Sequence, residues 1–358
     1  MPIEFNDRIR RIPVYPAADG YSLGPEVALM ASNETPDPPL PQVTEAVAKV
    51  LSGLNRYPDP TNSRLRAALS DRHGVPASRV AIGNGSCDIL LAAGDALLEP
   101  GAEVVYAWPS FSVYPHLAAA SGATAITVPL DAAARHDLPA MLREITAATR
   151  LVIVCNPNNP TSTALPLADV AAFVAEVPPN VAVLLDEAYC EFNLLDDPDA
   201  SIDLLARHQN LVLLRTFSKV YGLAGLRVGY ALCGSESFRE AVDQVRQPFF
   251  CSAAAQAAAL EALKHQDAVA ERVERAVSSR LQVDAGLRAL GLEPAESHAN
   301  FCWFDVGPER ESELVKGLAD AGVLVRAGAA LGQAGALRVT YGHPGENLRF
   351  LEELGRLL

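Results

Sequence analysis

The chain has 358 residues, 49% hydrophobic and 20% charged, ordinary proportions for a globular protein with room for two domains at about 150 residues each. Its formal net charge of -14 and pI near 5.0 argue against nucleic acid or an anionic membrane surface as a main partner. The first residues carry no apolar core of signal-peptide length, and no stretch is long and apolar enough to span a bilayer.

Residues 1–40 hold many prolines (Pro13, Pro16, Pro25, Pro36, Pro38, Pro39) and little periodicity, which predicts an extended arm. From there to about residue 250, short apolar runs of strand type alternate with helical patterns. The runs are Arg79–Ile82, Glu103–Ala107, Ala125–Val128, Leu151–Cys155, Val181–Leu185, Leu211–Leu214 and Val228–Leu232; the helical segments include Ile89–Leu98, Asp169–Glu176 and Ser201–Arg207. Such alternation predicts an α/β fold with a mostly parallel sheet. The texture then changes. Ala253–Leu290 is an alanine-rich helical pattern with a break near His265–Asp267. Strands at Asn300–Asp305, Val323–Arg326 and Ala336–Thr340 follow, with a helix at Glu311–Ala321, so residues 251–358 read as a smaller α+β domain.

The chemistry-bearing residues sit in loops after the apolar runs, where ligands of open α/β sheets bind. The fullest is Leu211–Tyr230, in which a strand ends at Thr216, Ser218 and Lys219 and a glycine-spaced loop leads to Arg227. A lysine is most often a solvated surface charge. An apolar strand before it and Gly222, Gly225 and Gly229 after it point instead to an amine beside anion-binding groups, as needed to hold a phosphorylated aldehyde as a Schiff base. Gly83–Asp88 reads G-N-G-S-C-D before a helix; it is a common turn or a phosphate cup. Asp186, ending V-A-V-L-L-D, reads as a helix cap or as the partner of a pyridine nitrogen, with Tyr189 three residues on. Asn156–Ser162 is a proline-stiffened turn in which Asn159 is a candidate donor to a phenolic oxygen, and Phe111 is a core aromatic or a ring-stacking one.

The six cysteines are scattered without a C-x-x-C pair, so free thiols in a reducing cytoplasm are expected. The seven histidines show no metal-ligand spacing, and no metal is expected.

The segments G-N-G-S, N-P-N-N-P-T, D-E-A-Y, R-T-F-S-K-x-Y-G-L-A-G-L-R-x-G-Y, S-x-A-N-F and R-V-T-x-G-x-x-x-E-N occur in this order, with A-S-N-E-T and N-R-Y-P-D before them. By these motifs the chain resembles the histidinol-phosphate aminotransferase family, of fold type I among pyridoxal phosphate enzymes. It is equally similar to a neighbouring branch, the aromatic (phenylalanine) aminotransferases. The resemblance implies a large domain with a seven-stranded, mostly parallel sheet, a smaller C-terminal domain, pyridoxal phosphate as cofactor, and a homodimer with shared active sites. It gives Lys219 the Schiff base, Asp186 the ring nitrogen, Asn159 and Tyr189 the ring oxygen, and Phe111 the stacking. Gly85, Ser86, Cys87, Thr216, Ser218 and Arg227 hold the phosphate, with Tyr57 reaching it from the partner subunit. Arg338 grips the substrate carboxylate, Arg326 is a second substrate-side arginine, and Asn33 and Glu34 border the substrate.

The activity so implied is amino transfer from L-histidinol phosphate to 2-oxoglutarate. An aromatic amino acid as donor is the alternative, and a decarboxylase such as one acting on threonine phosphate is the more distant one. A cofactor-binding regulator would need a basic DNA-binding appendage that the chain lacks. Two positions depart from the family pattern. Cys87 stands where an aspartate is usual, keeping its backbone N–H for the phosphate but losing a side-chain contact. Ser162 stands where a glycine is usual, so the turn is expected to differ slightly.

Overall fold

The computed structural model describes residues 3–12, 14 and 26–358; the rest of the expected arm, including Pro13, Pro16 and Pro25, lies outside the described residues. Strand β1 (Ala28–Leu29) pairs in parallel with Val323–Leu324. Helices α1 (Pro41–Leu51) and α2 (Ser63–His73) lead into the large domain. There β2 (Val80–Gly83), β3 (Glu103–Trp108), β4 (Thr124–Pro129), β5 (Thr149–Cys155), β6 (Ala182–Asp186), β7 (Leu211–Thr216) and β8 (Gly229–Cys233) form a seven-stranded sheet. The order is β2-β8-β7-β6-β5-β3-β4. β8 runs antiparallel to both neighbours, and the other pairs are parallel.

The central strands β6 and β7 are buried at every position because helices cover both faces. Along β3, Val105 and Ala107 enter one core cluster while Val104 and Tyr106 enter the other; on β6, Leu185 and Leu184 divide in the same way. The edge strand β4 is mostly exposed. Helices α3 (Ser86–Leu97), α4 (Tyr114–Ser121), α5 (Leu138–Arg143), α6 (Leu167–Glu176) and α7 (Glu236–Val245) lie between the strands or follow them. The chain continues through α8 (Ala253–Ala262) and α9 (Gln266–Ala289) into the small domain. That domain has β9 (Phe301–Asp305), α10 (Pro308–Asp320), β10 (Val323–Leu324), β11 (Arg326–Ala327), β12 (Ala336–Thr340) and α11 (Pro344–Leu357), with β11-β12-β9 as an antiparallel sheet.

Three expectations are corrected. The boundary at residue 251 does not match the packing: Ala255, Ala258, Ala259 and Ala262 of α8 lie in the large-domain core, because their small side chains let α8 approach α1 closely. Helix α9 then spans both bodies, with Val273 on the large core and Val283 and Leu287 in the small one. Ser201–Arg207 forms 3-10 turns, Ala200–Ala206, beside Arg215, whose guanidinium donates to the Asp199 carboxylate at 2.6 Å. Val323–Arg326 is not one strand, since the chain changes partners at Val325, from β1 on β10 to β12 on β11.

The start of β8 abuts the start of α3. A β-carbon at Gly229 would stand 2.4 Å from Ser86 N and 2.8 Å from the Gly85 carbonyl carbon, backbone atoms with nowhere to go. Gly229→Ala is expected to destabilise the fold by about 1–3 kcal/mol. The space around Gly225 is open, so Gly225→Ala serves as the control. Thermal melts read the difference, and equal Tm values for the two variants would refute this account of the packing.

Candidate active site

The carboxyl ends of β2, β3, β5, β6 and β7 and the amino end of β8 meet at one edge of the large sheet, as the strand directions require. The loops leaving that edge, together with the arm and the small domain, enclose a cavity of about 470 Å³. Its walls include Asn33, Glu34, Ser86, Cys87, Phe111, Asn159, Asp186, Tyr189, Thr216, Ser218, Lys219, Arg227, Arg326 and Arg338. Residues from the whole length of the chain, expected at one site, are therefore brought together.

One end of the cavity is built for an anion. Helix α3 begins at Ser86 with no side-chain cap, so its first N–H groups and the positive end of its dipole face the cavity edge. Gly85 has φ 79°, and a β-carbon on it would stand 2.3 Å from an Arg227 guanidinium nitrogen. Glycine is what lets that cation lie over the helix start. Arg227 donates to Ala224 O at 3.0 Å, and its contact with Ser218 Oγ is a long 3.5 Å. Ser218 N donates to Thr216 Oγ1 at 3.0 Å, folding the chain after β7 into the same cradle. Burial, then the Asp186 charge, raise the pKa of the Cys87 thiol, so it stays neutral.

The floor carries a buried carboxylate. Asp186 ends β6, accepts from Ala188 N at 3.2 Å, and accepts from the Tyr114 hydroxyl at 2.8 Å. Burial pushes its pKa up to about 6, opposed by the bonds from Tyr114 and Ala188. Tyr114 is a site residue that the sequence reading missed. It sits three residues after Phe111 in the first turn of α4, edge-on to Phe111 with ring centroids 5.7 Å apart. A tyrosine in an apolar segment gives no sign of its partner until β3 and β6 are placed in one sheet.

Lys219 lies beyond the end of β7. Its Nζ donates to Ser32 O at 3.1 Å and stands 5.6 Å from the centroid of the Tyr189 ring. Burial, then the Arg338 cation, lower its pKa to about 8. Arg338 and Arg326 face each other across the β11–β12 pair, both largely buried. Arg338 donates to Asn159 Oδ1 at 2.7 Å and to Ala31 O at 2.5 Å. With its oxygen engaged, the Asn159 amide has N–H groups left to offer a ligand. Asn33 Nδ2 donates to the Tyr189 hydroxyl at 3.1 Å.

Tyr57 is not part of this cavity within one chain. It is 80% exposed and stacks on Phe249 with centroids 4.3 Å apart. Ser162 does take the left-handed angle of the usual glycine, φ 60°, and is fully buried. Its hydroxyl donates to Thr161 O at 2.6 Å and its carbonyl accepts from His298 N at 2.7 Å, which offsets the cost of a non-glycine residue there. No cluster of metal-ligating residues occurs among the described residues, and no described helix is long and apolar enough to cross a membrane.

An amine of lowered basicity, a buried carboxylate and an anion cradle on the carboxyl edge of such a sheet define a fold type I enzyme of pyridoxal phosphate. Comparison with known proteins makes the assignment specific: the family model for class I and II aminotransferases matches residues 25–354, and the chain belongs to that family. It is 40% identical over 350 residues to an aromatic amino acid aminotransferase of Cutibacterium acnes, covering 98% of this chain and 97% of that one. It is 43% identical to one of Streptomyces avermitilis over 95% and 94% of the two chains. Among solved structures it superposes on a histidinol-phosphate aminotransferase from Sinorhizobium meliloti in complex with pyridoxal-5'-phosphate. The TM-score there is 0.88 at 30% identity, with 99% and 97% of the chains covered. The protein is thus an aminotransferase dependent on pyridoxal phosphate, and among curated relatives the aromatic branch stands ahead of the histidinol-phosphate reading placed first from sequence.

Removing the Arg338 charge is expected to make Lys219 more basic, because a neighbouring cation favours the neutral amine. In cofactor-free protein, labelling of Lys219 by an amine-reactive reagent should rise with a midpoint near pH 8, and Arg338→Gln should move that midpoint upward. Peptide mapping of labelling against pH measures both. An unchanged midpoint in the variant would refute the coupling.

Proposed function

We propose that the chain is an aromatic amino acid aminotransferase that passes the amino group of phenylalanine or a similar donor to 2-oxoglutarate. The observation that carries the reading is the convergence of Lys219, Asp186 and Arg338 on one cavity. The choice of an aromatic donor rests on the curated relatives, at 40% and 43% identity over nearly the full length.

The residues fit the cofactor. The α3 start at Gly85, Ser86 and Cys87, with Thr216, Ser218 and Arg227, suits a phosphate dianion, which a helix N-terminus and a guanidinium both favour. Tyr57, exposed on one chain, reaches the phosphate site of a second copy in a homodimer. Asp186 would accept from the protonated ring nitrogen, Phe111 would stack on the ring, and the Asn159 amide and Tyr189 hydroxyl would donate to the ring oxygen. Bound pyridoxal phosphate supplies the electron sink that makes the substrate Cα–H acidic.

Lys219 would hold the cofactor through its amine, and the same Nζ would take the proton from the substrate Cα. An amine with a pKa near 8 is partly neutral at physiological pH, as a base requires. Arg338 binds the α-carboxylate shared by donor and acceptor, and a guanidinium can do so through two parallel bonds. Arg326, beside it across the strand pair, takes the second carboxylate of 2-oxoglutarate. Asn33 and Glu34 line the substrate side, and Phe111 and Leu331 add apolar wall for an aromatic side chain.

The reading is tested by kcat/KM for phenylalanine and for histidinol phosphate, each with 2-oxoglutarate. Phenylalanine is expected to lead by about tenfold or more, the scale on which a site built for one side chain rejects another. A lead for histidinol phosphate would restore the other branch. Lys219→Ala should abolish turnover of both donors; retained turnover would remove the lysine from its role.

A further inference from the structure

We propose that Tyr114 is a positioning residue for the cofactor: its hydroxyl fixes the Asp186 carboxylate as the acceptor for the ring nitrogen. The inference rests on the role of Asp186 proposed above and adds a residue that no sequence motif marks.

The geometry is specific. Tyr114 is fully buried, and its hydroxyl donates to Asp186 Oδ2 at 2.8 Å while Ala188 N holds Oδ1 at 3.2 Å. The carboxylate is thereby fixed through both oxygens. The Tyr114 ring is clamped edge-on by Tyr106, centroids 5.8 Å apart, and by Phe111 at 5.7 Å. Apart from Cys155 and Cys233, this core cluster is aliphatic and aromatic, with Ile153, Leu184 and Leu214 among its members. A phenylalanine would fill the same space. A buried hydroxyl is costly without a partner, and here the partner is the carboxylate on the cavity floor. The same ring thus touches Phe111, the proposed stacking residue, and Asp186, the proposed nitrogen partner.

The bond also sets charge. Facing Asp186 are Tyr114 from α4, Cys155 from β5, Cys87 from α3, Lys219 after β7, and Glu187 and Tyr189 from its own segment. Cys155 and Tyr189 are fully buried neutral groups, their pKa values raised by burial. Burial drives Asp186 toward protonation, and the largest opposing influence is the Tyr114 hydroxyl. Burial, then the Asp186 charge, hold the phenol well above its ordinary pKa, so it remains a donor at working pH. Without the donor, Asp186 takes up a proton at higher pH. A protonated carboxyl no longer offers the negative charge that favours a protonated ring nitrogen.

The test uses the full chain stripped of cofactor and titrated with pyridoxal phosphate, in wild type, Tyr114→Phe and Asp186→Asn. The affinity ratio of Tyr114→Phe to wild type should worsen by about fivefold between pH 8 and pH 6, as for a carboxyl pKa raised by about one unit. Protonation of the cofactor itself cancels in that ratio. A ratio that is constant with pH, while Asp186→Asn binds weakly, overturns the Tyr114 inference alone. If Asp186→Asn binds like wild type at every pH, the reading of Asp186 fails and the inference falls with it. Should Tyr114→Phe not fold, replacing Tyr114 by fluorotyrosine gives a stronger donor of nearly the same shape. It should shift the acid limb of binding to lower pH, and an unmoved limb overturns the proposal.

Discussion

A carboxylate kept in a dry place is the constraint around which this molecule is arranged. Asp186 ends a buried strand, and its burial is unfavourable for the charged form. The structure answers with a phenol from α4 and a backbone N–H from the next turn, and by placing the Lys219 amine in the same cavity. The phenol and the amine are themselves pushed toward their neutral forms by burial. The site therefore holds charge that water would otherwise solvate, and a cofactor with a cationic ring and an anionic phosphate complements both ends of it.

The arrangement depends on the sheet more than on any single loop. Parallel strands buried on both faces put their carboxyl ends on one edge, and only there do loops from distant parts of the sequence converge. This explains what was legible in the sequence. Every strand of the large sheet stands out as an apolar run, and polar residues end or closely follow β2, β5, β6 and β7. Lys219, Asp186 and Asn159 end or follow such runs, Arg227 stands just before one, and the cavity contains all four.

What the sequence hid was set by contacts between elements. Tyr114 looks like any core aromatic, because its significance is a hydrogen bond to a residue two strands away in the sheet. Helix α8 reads as part of the second domain by composition, but its alanines suit close packing on α1, which belongs to the first. Ser162 breaks a glycine pattern and still adopts the left-handed angle, since bonds through its hydroxyl and carbonyl support it. The choice of donor was hidden as well. Both readings need two arginines and an aromatic-sized space, so the motifs around Lys219 could not separate them, whereas resemblance over the full length favours the aromatic branch.

The separation of tasks between the two domains follows from the same geometry. The large sheet leads to Lys219 and Asp186, whereas Arg326 and Arg338 stand opposite each other on the small sheet. Residues 30–33 of the arm join the two. Thr340 N donates to Met30 O at 2.8 Å, Arg338 reaches Ala31 O, Lys219 reaches Ser32 O, and Asn33 reaches Tyr189. Asn33 does so from a left-handed conformation, φ 54°, which asparagine tolerates better than most residues. Its backbone N–H accordingly meets Thr340 Oγ1 on one domain while its side chain meets Tyr189 on the other. The arm thus ties Arg338 of the small domain and Lys219 of the large one to adjacent carbonyls, Ala31 O and Ser32 O.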